Sequence, residues 1–262
     1  MGNYLYDNIA HDAGKRLEYL EKIEDSRTFE QIAKIDIKKG ATCLELGAGK
    51  GSVAEHLCTI VGETGSVHAI DIDTRFLKEL SFRQLSIIEG NVEEIDLNEI
   101  EFDFIHARHV LIHTENYKDI LNNLYRSLKP DGWMLIEETD FSTWCAVTSS
   151  GDDDVQFFNA IIQNILAFYE FRGIDITCGT GCYRQLSFHD NKVLTSESRC
   201  RTVQGGSTEA RFHRITMEQL CPSLTAHIHM GDAEITRFLD LHMNTDFHYR
   251  TRMTNSIRVQ KR

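Results

Sequence analysis

Apolar residues along the first half of the chain fall into two alternating patterns. Short apolar runs, Thr42 to Leu46, Ser66 to Asp71, Gln84 to Glu89, Glu101 to Ala107 and Met134 to Glu138, read as buried strands. Ser52 to Val61 and Asn116 to Leu128 instead carry apolar residues at helical spacing. This order predicts an α/β chain built on a parallel sheet. Ahead of it, Leu17, Leu20, Ile23, Phe29, Ile32 and Ile35 suggest two amphipathic helices around a break near Asp25-Ser26. Beyond Ser150 the pattern predicts a helix over Asp152 to Arg172 with an acidic start, a turn at Gly179 to Gly181, and a strand over Val193 to Val203. A break at Gly205-Gly206-Ser207, helices over Ile215 to Leu220 and Glu234 to Met243, and a last strand near Ser256 to Gln260 follow.

Length and charge narrow the classes. With 262 residues, 41% of them hydrophobic, the chain can bury a large core, as one α/β domain with insertions or as two domains, and two prolines mark no linker. A net charge of −12 disfavours a nucleic-acid backbone as partner and favours small molecules or peptides. Seven cysteines, odd in number and scattered, fit reduced thiols, and Cys178 with Cys182 lacks the second pair that a structural zinc site requires. The chain has no leader, no membrane-spanning run and no lipidation signal, so it is expected to be cytoplasmic.

The chemistry concentrates at C-L-E-L-G-A-G-K-G-S-V, residues 43 to 53. Glycines at 47, 49 and 51 let a strand-to-helix turn take left-handed angles, let a ligand approach the main chain at the positive end of the helix, and are expected to expose backbone N–H groups. The spacing is G-x-G-x-G, and Glu45 just ahead of it would repel the pyrophosphate that a G-x-G-x-x-G turn receives. A carboxylate there suits a cationic or amine-bearing ligand. Read alone, the turn is also compatible with a ligand-free connection. Asp71 closes the second strand twenty residues after Gly51, where an acid can bind both ribose hydroxyls; the alternative is a helix cap for Thr74 onward.

E-L-G-A-G-K-G-S resembles the first motif of class I S-adenosylmethionine-dependent methyltransferases, whose ligand carries an ammonium and a sulfonium. The run F-D-F-I-H-A followed by R-H-V-L-I-H-T resembles the family's fourth motif. L-K-P-D-G-W resembles its marker before the fifth strand, with Asp131 where glycine is commoner. G-G-S-T-E-A-R-F resembles a bacterial small-molecule subgroup, of natural-product or quinone type. The resemblance implies a Rossmann-like seven-stranded class I methyltransferase sheet with N-terminal helices and a helical cap insertion near the C-terminus, S-adenosylmethionine as cofactor, and no metal. It places Glu45 on the ligand ammonium, Gly47, Ala48, Gly49 and Gly51 on the methionine part, Asp71 on the ribose, Ile72 on adenine, and Asn91 and Val92 on the base. His106, Ala107, Arg108 and Arg16 complete the implied cofactor site. Tyr6, His109 and Trp144 are candidates for the acceptor side, and His113, then Asp140, for a base that takes a proton from an oxygen or nitrogen acceptor.

Local alternatives stand beside these roles. Asn91 is also a turn former, Trp144 a core residue, and His106, His109 and His113 core or pocket histidines that do not converge on a metal. The expected layout is one methyltransferase domain over 1–262: a helical segment to 38, a cofactor core over 40–150, a helix and strand over 151–204, the cap over 205–250 closing the acceptor pocket, and a final strand over 251–262. A small-molecule or peptide acceptor is implied, and a homodimer is left open. The rival readings are a nicotinamide-dependent oxidoreductase, which Glu45 and the glycine spacing disfavour, and a non-catalytic S-adenosylmethionine-binding scaffold.

Overall fold

A computed structural model describes residues 13–262 except 96, 98, 99, 149, 150, 191 and 229, with the backbone alone at 226–228. Tyr4, Tyr6 and His11 lie outside the described residues. In chain order the elements are α1 (Ala13–Ile32), β1 (Thr42–Leu46), α2 (Ser52–Val61), β2 (Ser66–Asp71), β3 (Leu85–Glu89), β4 (Phe102–Arg108), α3 (Tyr117–Arg126), β5 (Leu128–Asp140) and β6 (Cys145–Thr148). They continue as α4 (Asp152–Phe171), α5 (Cys178–Ser187), β7 (Lys192–Arg199), β8 (Thr202–Gln204), α6 (Thr208–Ile228), α7 (Asp232–Leu241), β9 (His248–Arg250) and β10 (Met253–Lys261). No described helix is long and apolar enough to cross a membrane.

Seven strands form one sheet in the order β3-β2-β1-β4-β5-β10-β7, and β6-β9-β8 form a second. From β1 the chain builds outward to β2 and β3, then returns to place β4 on the other side of β1. The carboxyl ends of β1 and β4 therefore flank the switch point at which ligands enter such sheets. Parallel pairing aligns these ends, with Leu46 opposite both Ile70 and Ala107. The middle strands are buried on both faces, and Cys43, Leu57, Val61 and Phe104 form part of one core. At the opposite end, the Asp103 carboxylate accepts from the Thr42 amide and the Lys129 ammonium, both at 2.7 Å, and ties β4 to the start of β1.

The chain divides into two compact units. Glu24–Glu138, Cys178–Ser198 and Asn255–Arg262 form the unit that contains the crevice between β1 and β4. Met1–Ile23, Thr139–Thr177 and Arg199–Thr254 form the other, whose core gathers Phe238, His242, Phe247 and Tyr249 around the buried Phe158 ring.

Four local expectations are corrected. The first concerns α1, which runs unbroken through Asp25 and Ser26, because the Asp25 carboxylate that favours a local break is taken by Arg108 and Ser52. The second is the predicted turn at Gly179 to Gly181, which lies inside α5. A Cβ on Gly179 would stand 2.7 Å from the Glu138 carbonyl oxygen, so this glycine serves close helix–sheet approach. Third, Val193 to Val203 is two strands in two sheets, β7 and β8, since the alternation continues across the point where the chain changes partners. Fourth, the strand expected over Met134 to Glu138 already begins at Leu128 and passes through Asp131 at φ 63°, the left-handed angle that makes glycine commoner there.

Candidate cofactor crevice

β1 ends at Leu46 and the glycine turn begins. Gly47, Gly49 and Gly51 have φ of 68°, 57° and 94°, so all three are left-handed. A Cβ on Gly47 would lie 2.1 Å from a Val110 methyl, which shows how closely the segment after β4 covers the turn. The amides do not point outward as expected. Gly47 and Ala48 donate to the Ile70 carbonyl, Gly49 donates to the Asp71 carboxylate at 2.7 Å, and Gly51 donates to the Ala48 carbonyl. These four amides are engaged inside the protein and are not available to a phosphate.

Asp71 stands at the carboxyl end of β2. One carboxylate oxygen holds the Gly49 amide and the other the Asp73 amide at 3.0 Å, and burial raises the pKa against the pull of these bonds. It therefore anchors the turn, with lone pairs remaining for a further donor. Asp73 in turn binds Arg75. Next to Asp71, the Ile72 side chain is 49% exposed, an apolar face open to a flat ring. Asn91 follows β3, where its carbonyl oxygen accepts from the Glu93 amide at 3.1 Å, an Asx-type turn; Val92 beside it is half-buried.

On the other flank, His109 follows β4 at φ 55°, a left-handed angle rare for a side chain of this size. Its amide donates to the Glu137 carbonyl, and its ring lies 3.8 Å from the Glu138 carboxylate. Glu138 also accepts from the Leu111 and Ile112 amides at 2.9 and 3.3 Å and so pins the short helical turn that carries the half-buried His113.

Three of the expected cofactor residues, Glu45, His106 and Arg108, are held by other side chains of the protein. Glu45 is 3% exposed, with His106 Nδ1 2.7 Å from its carboxylate; His106 is fully buried, and its Nε2 lies 3.3 Å from the Glu137 carboxylate. Burial opposes the charged ring, yet the two carboxylates hold its pKa at about 9. Burial likewise opposes the Glu137 charge, but His106, Thr28 and Ser256 bring its pKa down to about 2. Burial raises that of Glu45. Arg108 turns to Thr28 and Asp25 of α1, both at 2.8 Å, while Ala107 is a buried strand residue beside Leu46. Arg16, Asp140 and Trp144 belong to the other unit. Arg16 and Trp144 are buried, and Asp140 accepts from the Ser142 amide at 3.0 Å at the start of a short helical turn. Sequence reasoning missed Asp25, Thr28, Glu137 and Ser256. The available signal was a set of ionisable residues in otherwise apolar strands, with Glu45 and His106 at facing register positions.

Sheet order, glycine turn, acid-terminated second strand and crevice together define a class I S-adenosylmethionine-dependent methyltransferase fold. The family of methyltransferase domains matches residues 44–136, so this segment is similar to a methyltransferase domain. The chain is similar to the demethylmenaquinone methyltransferase of Oceanobacillus iheyensis, 27% identical over 44% of this chain and 51% of that one. It is also similar to the ubiquinone/menaquinone biosynthesis C-methyltransferase UbiE of Psychromonas ingrahamii, 34% identical over 41% and 45%. The chain thus spans about half the length of these relatives. Two solved structures share the fold. A Bacillus halodurans protein described as a candidate methyltransferase superposes with a TM-score of 0.58, 15% identity, 90% of this chain and 99% of that one. Coclaurine N-methyltransferase, solved with N-methylheliamine and SAH, superposes with 0.53, 14%, 93% and 72%.

Proposed function

We propose that the chain transfers a methyl group from S-adenosylmethionine to an oxygen or nitrogen of a small organic acceptor. The carrying observation is the surplus of acids at the crevice: Glu45, Glu137 and Asp25 stand against His106 and Arg108, and Asp71 closes β2 beside the turn, a set that suits a cationic ligand. Glu45 and the turn carbonyls serve the ligand ammonium, Asp71 the ribose hydroxyls, and exposed Ile72 the adenine face, with Asn91 and Val92 at its edge. When bound, the cofactor supplies a methyl already activated by its sulfonium, so the protein's share is positioning and the exclusion of water. His113 is the first candidate to take the acceptor proton and Asp140 the second; the strained His109 is the candidate to orient the acceptor.

A second reading places the methyl on carbon. It rests on the names of the relatives, a demethylmenaquinone methyltransferase and a quinone C-methyltransferase. Calorimetry with S-adenosylhomocysteine (SAH) and with NAD tests the cofactor, and micromolar NAD binding without SAH binding would overturn the proposal. Incubating hydroxylated, aminated and quinol-type acceptors with methyl-labelled cofactor, followed by NMR of the product, distinguishes O- or N-methyl from C-methyl.

A further inference from the structure

A chain of polar bonds runs beneath the glycine turn. From α2, Ser52 Oγ donates to Asp25 of α1 at 3.1 Å, and Asp25 also accepts from Arg108 at 2.8 Å. Arg108 donates to Thr28 Oγ1 at 2.8 Å, and Thr28 donates to Glu137 at 2.5 Å. Glu137 accepts on its other oxygen from Ser256 Oγ of β10 at 2.7 Å. His106 closes the chain, with one ring nitrogen 3.3 Å from Glu137 and the other 2.7 Å from Glu45. Glu45, His106 and Glu137 are at most 3% exposed, and α1, α2, β1, β4, β5 and β10 each contribute to the chain.

We propose that His106 is a positioning residue for the cofactor crevice: a buried cation, bonded through both ring nitrogens, that fixes the Glu45 carboxylate beneath the glycine turn and couples it to α1. The proposal rests on the cofactor reading above and adds a residue that acts only through another. Geometry carries it. Each carboxylate stands within bonding distance of a different ring nitrogen, and an ionised carboxylate can only accept, so with both ionised both nitrogens are protonated. A neutral imidazole donates once and would leave one buried carboxylate without that bond. The charged groups facing the ring are Glu45 from β1 and Glu137 from β5, with Arg108 beyond them, and the balance favours the ring's second proton. A purely apolar residue at 106 would leave two buried carboxylates facing one another without a cation between them.

Two measurements test this. Long-range 1H–15N spectra of histidine-labelled protein without ligand should show one ring doubly protonated at pH 8, where the ordinary imidazole is neutral. Its signal should be absent from His106→Gln. A double-mutant cycle on SAH affinity then separates positioning from general support. His106→Gln should weaken SAH about tenfold and Glu45→Gln at least as much, and adding His106→Gln to Glu45→Gln should change it less than twofold. Should His106→Gln fail to fold, Thr28→Val, which removes the hydroxyl linking Arg108 to Glu137, enters the same cycle with the same expected non-additivity. Additive losses, or a wild-type spectrum with no doubly protonated ring at pH 8, overturn the inference while leaving the cofactor reading intact. A wild-type protein that binds no SAH overturns both.

Discussion

Replacing Asp71 tests the crevice most directly, because the two carboxylate oxygens have separate tasks. Oδ2 holds the Gly49 amide at 2.7 Å and Oδ1 the Asp73 amide at 3.0 Å, with the side chain 9% exposed. Asp71→Ala orphans both amides at about 1–3 kcal/mol each. Two effects offset part of this: relief of a buried charge, whose cost is visible in the raised pKa, and water entering the shortened site. The net expectation is a loss of roughly 2–4 kcal/mol. At about 2–4 °C per kcal/mol for a chain of this size, the midpoint of thermal unfolding falls by roughly 4–16 °C. Asp71→Asn keeps one acceptor and turns an NH2 group toward the second amide, so it falls between wild type and Asp71→Ala. In calorimetry both variants lose SAH affinity, Asp71→Ala by at least tenfold, about 1.4 kcal/mol, through the loosened turn and the lost acceptor for the ribose. Differential scanning calorimetry and isothermal titration make the two readings. An Asp71→Ala protein that melts within 1 °C of wild type would refute the anchoring role, and one that melts lower but binds SAH normally would refute the ribose role.

Two further outcomes follow from the same geometry. Gly47→Ala places a Cβ at φ 68° and 2.1 Å from a Val110 methyl, so left-handed strain of about 1–2 kcal/mol adds to overpacking of about 1–3 kcal/mol. Combining it with Val110→Ala should recover about 1 kcal/mol or more of coupling in urea unfolding, and strict additivity would exclude the contact as the cause. In the other unit, burial holds the His242 pKa at about 4, and buried His213, bonded to Tyr249 at 2.8 Å, is lowered as well. The folded protein keeps these rings neutral while the unfolded chain protonates near pH 6.5, so their contribution is full above pH 6.5 and fades as the pH falls toward 4. His242 accounts for at most about 3 kcal/mol of that loss, from about 1.4 kcal/mol per pH unit. His242→Phe should flatten the acid limb of the unfolding midpoint between pH 7 and 4.5, and an unchanged slope would remove His242 from the account.

Sequence by itself determined the elements whose signals are local. The strand from Thr42 to Leu46, the helix from Ser52 to Val61 and the strand from Ser66 to Asp71 lie at their expected bounds, because an apolar run closed by glycine and a helical stripe opened after Gly51 need no distant partner to be read. The left-handed angles at Gly47, Gly49 and Gly51 and the placement of Asp71 at a strand end were legible for the same reason. Only the tertiary structure decided where side chains and amides spend their hydrogen bonds. Gly47, Ala48 and Gly49 donate to β2 and Asp71, Glu45 and Arg108 turn to His106 and α1, and α1 passes through Asp25 and Ser26 because Arg108 and Ser52, far along the chain, satisfy the carboxylate. Gly179 shows the same limit. Its helix tolerates glycine because the Glu138 carbonyl occupies the space a side chain would need, and that neighbour stands at the end of another element, forty-one residues away in sequence. Residues close in sequence report their own backbone preference, whereas a buried polar group must be satisfied by whichever partner the packed fold delivers, and that partner has no local signature.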